Sequence, residues 1–457
     1  MPELPEVQTV LDTLESRIKD CKIIDIKILY KPIVETEEKI FKEKLINQHF
    51  RAFKRRGKYL LFEMDDITLV SHLRMEGKYF ILDDDVPLNK HDHVIFYLDN
   101  GKQLRYNDVR KFGRMELIEK DEDYHDFKNL GVEPFGKHFT VDYCRSYLEN
   151  CKLPIKQVLL DQSFIAGIGN IYADEICYAI RINPKTLACK LDDDDYRNLI
   201  AETKKILRQA IKAGGTTIRS YTSSLGVSGR FQQSLKVHTM SLCPSCEGNI
   251  RKITVGGRGT YYCPNCQKWK NHKIALTGTI GSGKTTACDY LRKKGYEVFD
   301  CDEANRDLLK RNKAGYKAVK ENFLECFEKG ILDKKKLSDV VFGDRKKKEL
   351  LESLLHPLIL DELMKKDSDP LMAEVPLLFE VKWDRYFDES LLICTDEDKA
   401  VVRLEERGFS HKEAKKRIAN QMPVDEKIKR ADKIIYNNGS LEELYSSIDK
   451  WIDDTLC

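Results

Sequence analysis

The sequence predicts a multidomain chain of mixed class: a β-rich lobe, a helical lobe ending in a four-cysteine module, and a doubly wound α/β domain. Three observations predict it. Short β-rich runs cut by turn signals fill residues 1–134. Two Cys-x2-Cys knuckles stand 16 residues apart, Cys243/Cys246 and Cys263/Cys266. A glycine-rich turn, Gly278–Thr285, stands between a strand pattern and a helix pattern. The length, 457 residues, allows three domains at about 150 residues each. With 41% hydrophobic and 33% charged residues, the chain can build real cores, which excludes a disordered tail or a disulfide-stapled miniprotein.

Net charge is +3, an average that hides a split. Residues 1–273 hold 44 Lys and Arg against 38 Asp and Glu, and residues 274–457 hold 34 against 37. The first part is therefore +6 and the second −3. Such an excess fits a polyanionic partner, but it also fits an ordinary solvated surface. No apolar run approaches the ~18–20 residues of a membrane span, so no membrane partner is expected. The N-terminus carries acids at once and is no signal peptide. Of fourteen cysteines, ten are scattered, and reduced thiols in a cytoplasmic setting are expected.

The elements follow in order. Apolar spacing predicts an opening helix from about Glu6 to Lys19. Strands are expected at Lys58–Met64 and His93–Leu98, the second closed by the turn Asp99-Asn-Gly101. Residues 140–213 read as helices; Leu199–Ala213 has apolar residues every three to four positions, and Asp192–Asp195 is a solvated helix start. After the cysteine module a short polar connector, Gln267–His272, leads to a buried-type strand, Ile274–Thr277. A helix then runs to about Lys294, Gly295 closes it, and Tyr296–Phe299 is the next strand. Strand–loop–helix–strand opens a doubly wound α/β domain.

Four thiolates at the spacing of Cys243, Cys246, Cys263 and Cys266 can close a tetrahedron around Zn2+. All four positions are then protein ligands, so one structural zinc per chain is expected. Between the knuckles lies Arg258, flanked by glycines, where a guanidinium can reach a phosphate.

Gly278-Thr-Ile-Gly-Ser-Gly-Lys-Thr285 fits the P-loop pattern in the strand–helix context the motif requires. The residues Gly278, Gly281, Ser282, Gly283, Lys284, Thr285 and Thr286 are expected to hold ATP, Lys284 at the β- and γ-oxygens and Thr285 at Mg2+. The second strand ends in Asp300-Cys-Asp302, where a carboxylate can take a proton from an acceptor hydroxyl.

At the other end, Pro2 becomes the terminal residue once Met1 is removed. Its secondary amine, with an α-amino pKa of about 8, can attack a sugar C1′ and form an iminium. Glu3 stands beside it to move protons. Proline at position 2 is common, so these two residues alone do not make a site.

The surrounding motifs do more. Pro2-Glu-Leu-Pro-Glu-Val7, Arg56-Gly-Lys-Tyr59, His72-Leu-Arg-Met-Glu-Gly77, Lys90-His-Asp-His93, Asp108-Val-Arg-Lys-Phe-Gly113, Ala166–Glu175, Gly214-Gly-Thr-Thr217 and the terminal finger come in one order. Over about 270 residues this resembles the formamidopyrimidine-DNA glycosylases. The resemblance implies excision of oxidised purines (8-oxoguanine, formamidopyrimidines) from damaged double-stranded DNA, with β,δ-elimination. It implies Pro2 as Schiff-base nucleophile, Glu3 as its acid/base partner, Lys58 assisting base release and β-elimination, and Arg258 gripping phosphate and linked to δ-elimination. It casts Met75, Arg110 and Phe112 as the trio filling the hole left by a flipped nucleotide, a role that wedging side chains and a hydrogen-bonding arginine can serve. His91, Lys152, Lys156 and Asn170 are expected at the DNA backbone, and the Gly167-Ile-Gly169 corner is expected to offer N–H groups to phosphate. One departure stands before the finger: the family reads Val-Tyr-Gly-Arg where this chain has Val237-His-Thr-Met240.

In the second half, the P-loop, Asp300-Cys-Asp302, His356-Pro-Leu358, Val375–Glu380, the stretch Arg403…Arg407…Arg417 with Gln421, and Asn437-Asn-Gly439 resemble dephospho-CoA kinase. The resemblance implies ATP-dependent phosphorylation of the 3′-hydroxyl of dephospho-CoA, with Asp302 as base and Arg403, Arg407 and Arg417 in a closing lid. Ala400 and Gly408 stand where that family often has Gln and Asp.

Together these resemblances divide the chain into a β-rich catalytic lobe (1–134), a helix-two-turn-helix lobe (135–236), a four-cysteine zinc finger (237–270) and a P-loop kinase domain (274–457). The fold class is then a β-sandwich lobe plus a helix-two-turn-helix/zinc-finger lobe, followed by a P-loop α/β three-layer domain, in a monomer. The competing reading is a catalytically decayed damage-DNA-binding module fused to a P-loop kinase or ATPase of other specificity. The intact Pro2, Glu3 and Lys58 argue against it.

Overall fold

The computed structural model describes residues 1–455 apart from 121, 123, 217–229 and 367. Thr217, the last residue of the Gly214–Thr217 motif, lies outside the described residues. The chain separates into two units, Met1–Lys268 and Trp269–Cys457.

In the first unit the opening helix is Leu4–Ile18, two residues ahead of the apolar pattern. The early start comes from Glu3, the N-cap residue, whose N–H donates to Glu6 Oε2 at 2.9 Å. Two four-stranded antiparallel sheets follow. One runs in spatial order Ile23–Ile28, Asp92–Leu98, Lys102–Asn107, Lys78–Asp83; the other runs Ala52–Arg56, Tyr59–Glu63, Ile67–His72, Arg114–Glu119. Leu60, Phe62 and Leu69 of one sheet and Val94, Phe96 and Leu104 of the other meet Val7, Leu11 and Leu14 of the helix in one buried cluster. Burying such side chains contributes about 1.5–3 kcal/mol each, and it anchors the N-terminus against the sheets.

Four helices make the next core: Val141–Leu148, Ile155–Leu160, Asn170–Ala179 and Asp193–Lys212. The acidic run before the last of these is a cap. Asp192 Oδ1 accepts the N–H groups of Asp194 and Asp195 at 3.0 Å each, and three aspartates face the positive end of the helix dipole. The finger is an antiparallel hairpin of Arg251–Val255 and Arg258–Tyr262.

The second unit is built on five parallel strands in the order Val298–Asp300, Leu371–Glu374, Lys273–Gly278, Glu389–Cys394, Lys433–Tyr436. Alternation along the central strand sends Ile274 and Leu276 into one apolar cluster and Ala275 into another. Both faces of the sheet are therefore covered, as parallel sheets require. The P-loop helix is Lys284–Lys293. The strand expected at Tyr296–Phe299 begins instead at Val298. Tyr296 still belongs to the helix end, because its N–H returns to the Leu291 carbonyl at 3.1 Å after Gly295 turns left-handed at φ +93°. Among the described residues, no helix is long and apolar enough to cross a membrane.

Candidate functional site

Pro2 and Glu3 are buried where the opening helix meets the Asn170–Ala179 helix. Glu3 Oε2 accepts the N–H of Gly169 at 2.7 Å, and Oε1 accepts that of Ile171 at 2.9 Å. A helix N-terminus thus holds the carboxylate of the residue that follows Pro2. The Gly167-Ile-Gly169 corner was expected to face phosphate. Its N–H groups are instead taken within the protein, Gly169 by Glu3 and Gly167 by Gln162 Oε1 at 2.9 Å. The glycines are needed because the N-terminus packs on them. A Cβ on Gly169 would lie 2.6 Å from Glu3 Oε1, and one on Gly167 would lie 2.8 Å from Leu4 Cβ.

Lys58 enters this centre from the second sheet's turn. It is buried, and its Nζ donates to the Ile168 carbonyl at 2.8 Å. Burial pushes its pKa down and nearby Arg258 adds to that, while Glu3 and Glu6 oppose it. Two groups that the sequence reading did not single out complete the environment. Glu6 Oε1 accepts from Tyr172 Oη (2.8 Å) and from Thr216 N–H (2.7 Å); burial, then Glu3, raises its pKa. His72 receives the Arg74 N–H on Nδ1 at 2.9 Å, and burial holds its pKa at about 3, so the ring is neutral with its proton on Nε2. Both residues stand inside quoted motifs, but only the fold shows that they are buried.

Met75 and Phe112 are 38% and 47% exposed, large apolar side chains held in water. Each stands next to a non-glycine residue in the left-handed region, Arg74 at φ +52° and Lys111 at φ +58°. One buried carboxylate shapes the second loop: Asp108 accepts the N–H groups of Arg110 (2.9 Å), Phe112 (2.8 Å) and Gly113 (2.9 Å). The Arg110 guanidinium lies over the Phe112 ring, 4.7 Å from its centroid. His91 is half-buried and Lys152 is exposed.

Asn170 Nδ2 donates to the Gly259 carbonyl at 2.9 Å, next to exposed Arg258. Lys156, expected at the DNA backbone, is fully buried, its ammonium 2.6 Å from Asp174 Oδ1. A cation withdrawn from solvent and paired in this way is not a surface contact.

The sulfurs of Cys243, Cys246, Cys263 and Cys266 lie within 4.8 Å of one another, with Cys243–Cys266 at 3.7 Å and Cys246–Cys263 at 3.5 Å. Sulfurs about 2.3 Å from a tetrahedral zinc stand about 3.8 Å apart, so the set fits a structural Zn2+.

In the second unit the P-loop wraps back on the sheet. Gly283 is left-handed at φ +88°, and a Cβ there would collide with Asn437 Nδ2, which donates to the Ser282 carbonyl at 2.8 Å. Ser282 Oγ is buried with no hydrogen-bond partner, and the glycine cradle around it fits a phosphate. Lys284 Nζ is ion-paired with Glu374 Oε1, which also accepts from Thr285 Oγ1 at 3.1 Å. Glu374, at the end of the adjacent strand, was not singled out from sequence. Its Oε2 is buried without a hydrogen bond, a donor set that with Thr285 suits Mg2+.

Asp300 caps the next helix through the Glu303 N–H at 2.9 Å, which leaves Asp302 as the carboxylate available for proton transfer. Desolvation raises the pKa of Asp302 and Lys284 counters it. The three arginines expected in a lid have different surroundings. Arg403 donates to the Gly281 carbonyl (3.2 Å) and the Asn437 carbonyl (3.0 Å), Arg407 is exposed at a helix end, and Arg417 lies 4.3 Å from the Phe409 ring centroid.

Family comparisons match these sites. Residues 1–115 match the formamidopyrimidine-DNA glycosylase N-terminal domain, 130–222 its H2TH domain, and 241–268 the zinc finger found in FPG and IleRS. Residues 272–443 match dephospho-CoA kinase. The chain is 45% identical over 272 residues to the formamidopyrimidine-DNA glycosylase of Streptococcus mutans, covering 59% of this chain and 100% of that one. It is 46% identical over 276 residues to that of Ligilactobacillus salivarius, with the same coverage. Among solved structures, Lactococcus lactis Fpg in complex with an abasic-site DNA aligns with TM-score 0.55 and 43% identity over 58% of this chain and 99% of that one. A Lactococcus lactis FPG mutant bound to Fapy-dG DNA aligns with TM-score 0.56 and 42% identity at the same coverage. The chain belongs to the formamidopyrimidine-DNA glycosylase family through the part that ends with the zinc finger at residue 268, and carries a dephospho-CoA kinase domain over residues 272–443.

Proposed function

We propose that the first unit excises oxidised purines from duplex DNA through a Schiff base on Pro2, and that the second phosphorylates the 3′-hydroxyl of dephospho-CoA. The observation that carries the first part is the buried Glu3 carboxylate, next in sequence to buried Pro2, fixed by the N–H groups of Gly169 and Ile171. With Met1 removed, the Pro2 amine attacks C1′, the base leaves with a proton, and an iminium forms. Glu3 moves protons at the sugar. Loss of a C2′ proton then expels the 3′ phosphate, and a second elimination expels the 5′ phosphate. Lys58, its pKa lowered by burial and its ammonium held at the Ile168 carbonyl, assists base release in the same centre, and Arg258 holds the leaving phosphate. Met75, Arg110 and Phe112 fill the space of the flipped nucleotide.

In the second unit Lys284 and the P-loop N–H groups bind the ATP phosphates, and Thr285 with Glu374 would hold Mg2+. The metal would neutralise charge on the transferring phosphoryl group. Asp302 accepts the acceptor's hydroxyl proton, for which a raised pKa suits it.

Borohydride trapping on an 8-oxoguanine duplex tests the first part. A covalent adduct is expected from the untagged protein, with a severe loss in Pro2→Gly and a block by any N-terminal extension. No adduct from the untagged wild type rejects the mechanism. For the second part, Asp302→Asn should lower phosphorylation of dephospho-CoA by about 10²–10⁴-fold. Phosphorylation of some other small acceptor, with none of dephospho-CoA, rejects that substrate.

A further inference from the structure

Two neighbouring acids on the Asn170–Ala179 helix, Asp174 and Glu175, are both buried. Glu175 accepts the N–H groups of Lys236, Val237 and His238 at 2.9 Å each and so fixes the chain entering the finger. Asp174 serves the hairpin itself. Its Oδ1 meets the Lys156 ammonium at 2.6 Å; its Oδ2 meets His238 Nδ1 at 2.7 Å and the Tyr261 N–H at 3.2 Å. A carboxylate only accepts, so the His238 proton is on Nδ1.

Lys156 has further partners. Its ammonium also donates to the Gly259 carbonyl (3.0 Å) and to Thr260 Oγ1 (2.7 Å). The Thr260 hydroxyl passes its own proton to the Arg258 carbonyl at 3.0 Å. These Lys156 contacts end on Gly259 and Thr260, the two residues that follow Arg258. At the hairpin tip Gly256, Gly257 and Arg258 are exposed, and a Cβ on Gly257 would meet nothing within 4 Å; Val255, which pairs with Arg258, is buried, and the Gly256 backbone lies against the Gln157 side chain. Beyond Val255 the exposed tip residues are positioned by hydrogen bonds to buried charge, which hold the Gly259–Tyr261 backbone.

We propose that Asp174, joined to Lys156 and His238, is a positioning residue that sets Arg258 for the second elimination. The cluster includes His238 at the point where this chain departs from the family pattern, and Lys156, which the sequence had placed on DNA. It acts through the hairpin and touches no substrate. This rests on the role of Arg258 given above.

The test is single-turnover cleavage of an abasic-site duplex by the full-length, zinc-loaded chain. The readout is the ratio of δ-product (3′ phosphate) to β-product (3′ unsaturated aldehyde), with zinc content and borohydride adduct measured in parallel. Asp174→Asn and His238→Phe should each lower the δ:β ratio by about tenfold or more, since a misplacement near 1 Å can cost about a hundredfold, while zinc and adduct formation stay as in wild type. A merely structural role would lower both products together. If Asp174→Asn sheds zinc, the paired variant Asp174→Asn with Lys156→Met removes both buried charges and gives the same readout. A wild-type ratio in zinc-loaded His238→Phe and in the paired variant overturns the proposal. Arg258→Ala separates the two readings: if it leaves the ratio unchanged, the role of Arg258 fails, and if it alone lowers the ratio, only the positioning network fails.

Discussion

Burial decides which side chains of the glycosylase centre carry charge. His72 is neutral because the fold removes its water and because Arg74 and Lys58 repel a proton there. Its folded pKa is about 3 against an ordinary 6.5. Above pH 6.5 both folded and unfolded states are neutral and the group costs nothing. Below it the unfolded chain binds a proton that the folded chain refuses, so stability falls as pH falls, by about 1.4 kcal/mol per unit, until about pH 3. Denaturant midpoints of wild type and His72→Phe should therefore diverge from pH 7 to pH 4, with the variant losing less. Parallel curves would show that the ring is protonated in the folded state. Neither the charge state of His72 nor the burial of Lys156 was legible in the sequence. A lysine in a basic stretch looks the same whether it faces DNA or an aspartate eighteen residues on, and only the packing of two helices against the hairpin decides.

At the scale of elements, the contact that matters most joins the opening helix to the Asn170–Ala179 helix. The helix end supplies N–H groups, Glu3 supplies the anion, and Gly169 supplies the room. Gly169→Ala would drive a methyl into the Glu3 carboxylate. It should lower borohydride trapping at least about a hundredfold, with zinc content and far-ultraviolet circular dichroism unchanged. Normal trapping would show that Glu3 can be displaced without cost. The loop that carries Arg110 and Phe112 depends in the same way on one acceptor. Asp108→Ala would strand three N–H donors, of which that of Gly113 is buried, at about 1–3 kcal/mol for the buried donor left unsatisfied. The expected result is a lower melting temperature with weaker binding of damaged duplex. Motif order announced both elements. The Glu3 contacts that join the two helices span 166 and 168 residues of sequence, a separation that no local pattern records.

For the whole molecule, two units with separate cores imply separable chemistry. Lys284→Ala should abolish phosphoryl transfer and leave borohydride trapping intact, and Pro2→Gly should do the reverse. Loss of both activities in either variant would reveal coupling. DNA binding should weaken steeply with salt through counterion release, while phosphorylation of dephospho-CoA should not follow that slope. The charge split between +6 and −3 is consistent with this division. Sequence by itself determined the two families, the four zinc ligands, the P-loop and the alternation of strand and helix, because each rests on short-range spacing that the backbone turns directly into geometry. Tertiary structure alone decided that Glu3 caps a distant helix, that Glu374 meets Lys284, and that Lys156 is buried against Asp174 and the finger hairpin. Those assignments depend on which elements pack together, and burial then sets charge and partner for side chains that look equivalent along the chain.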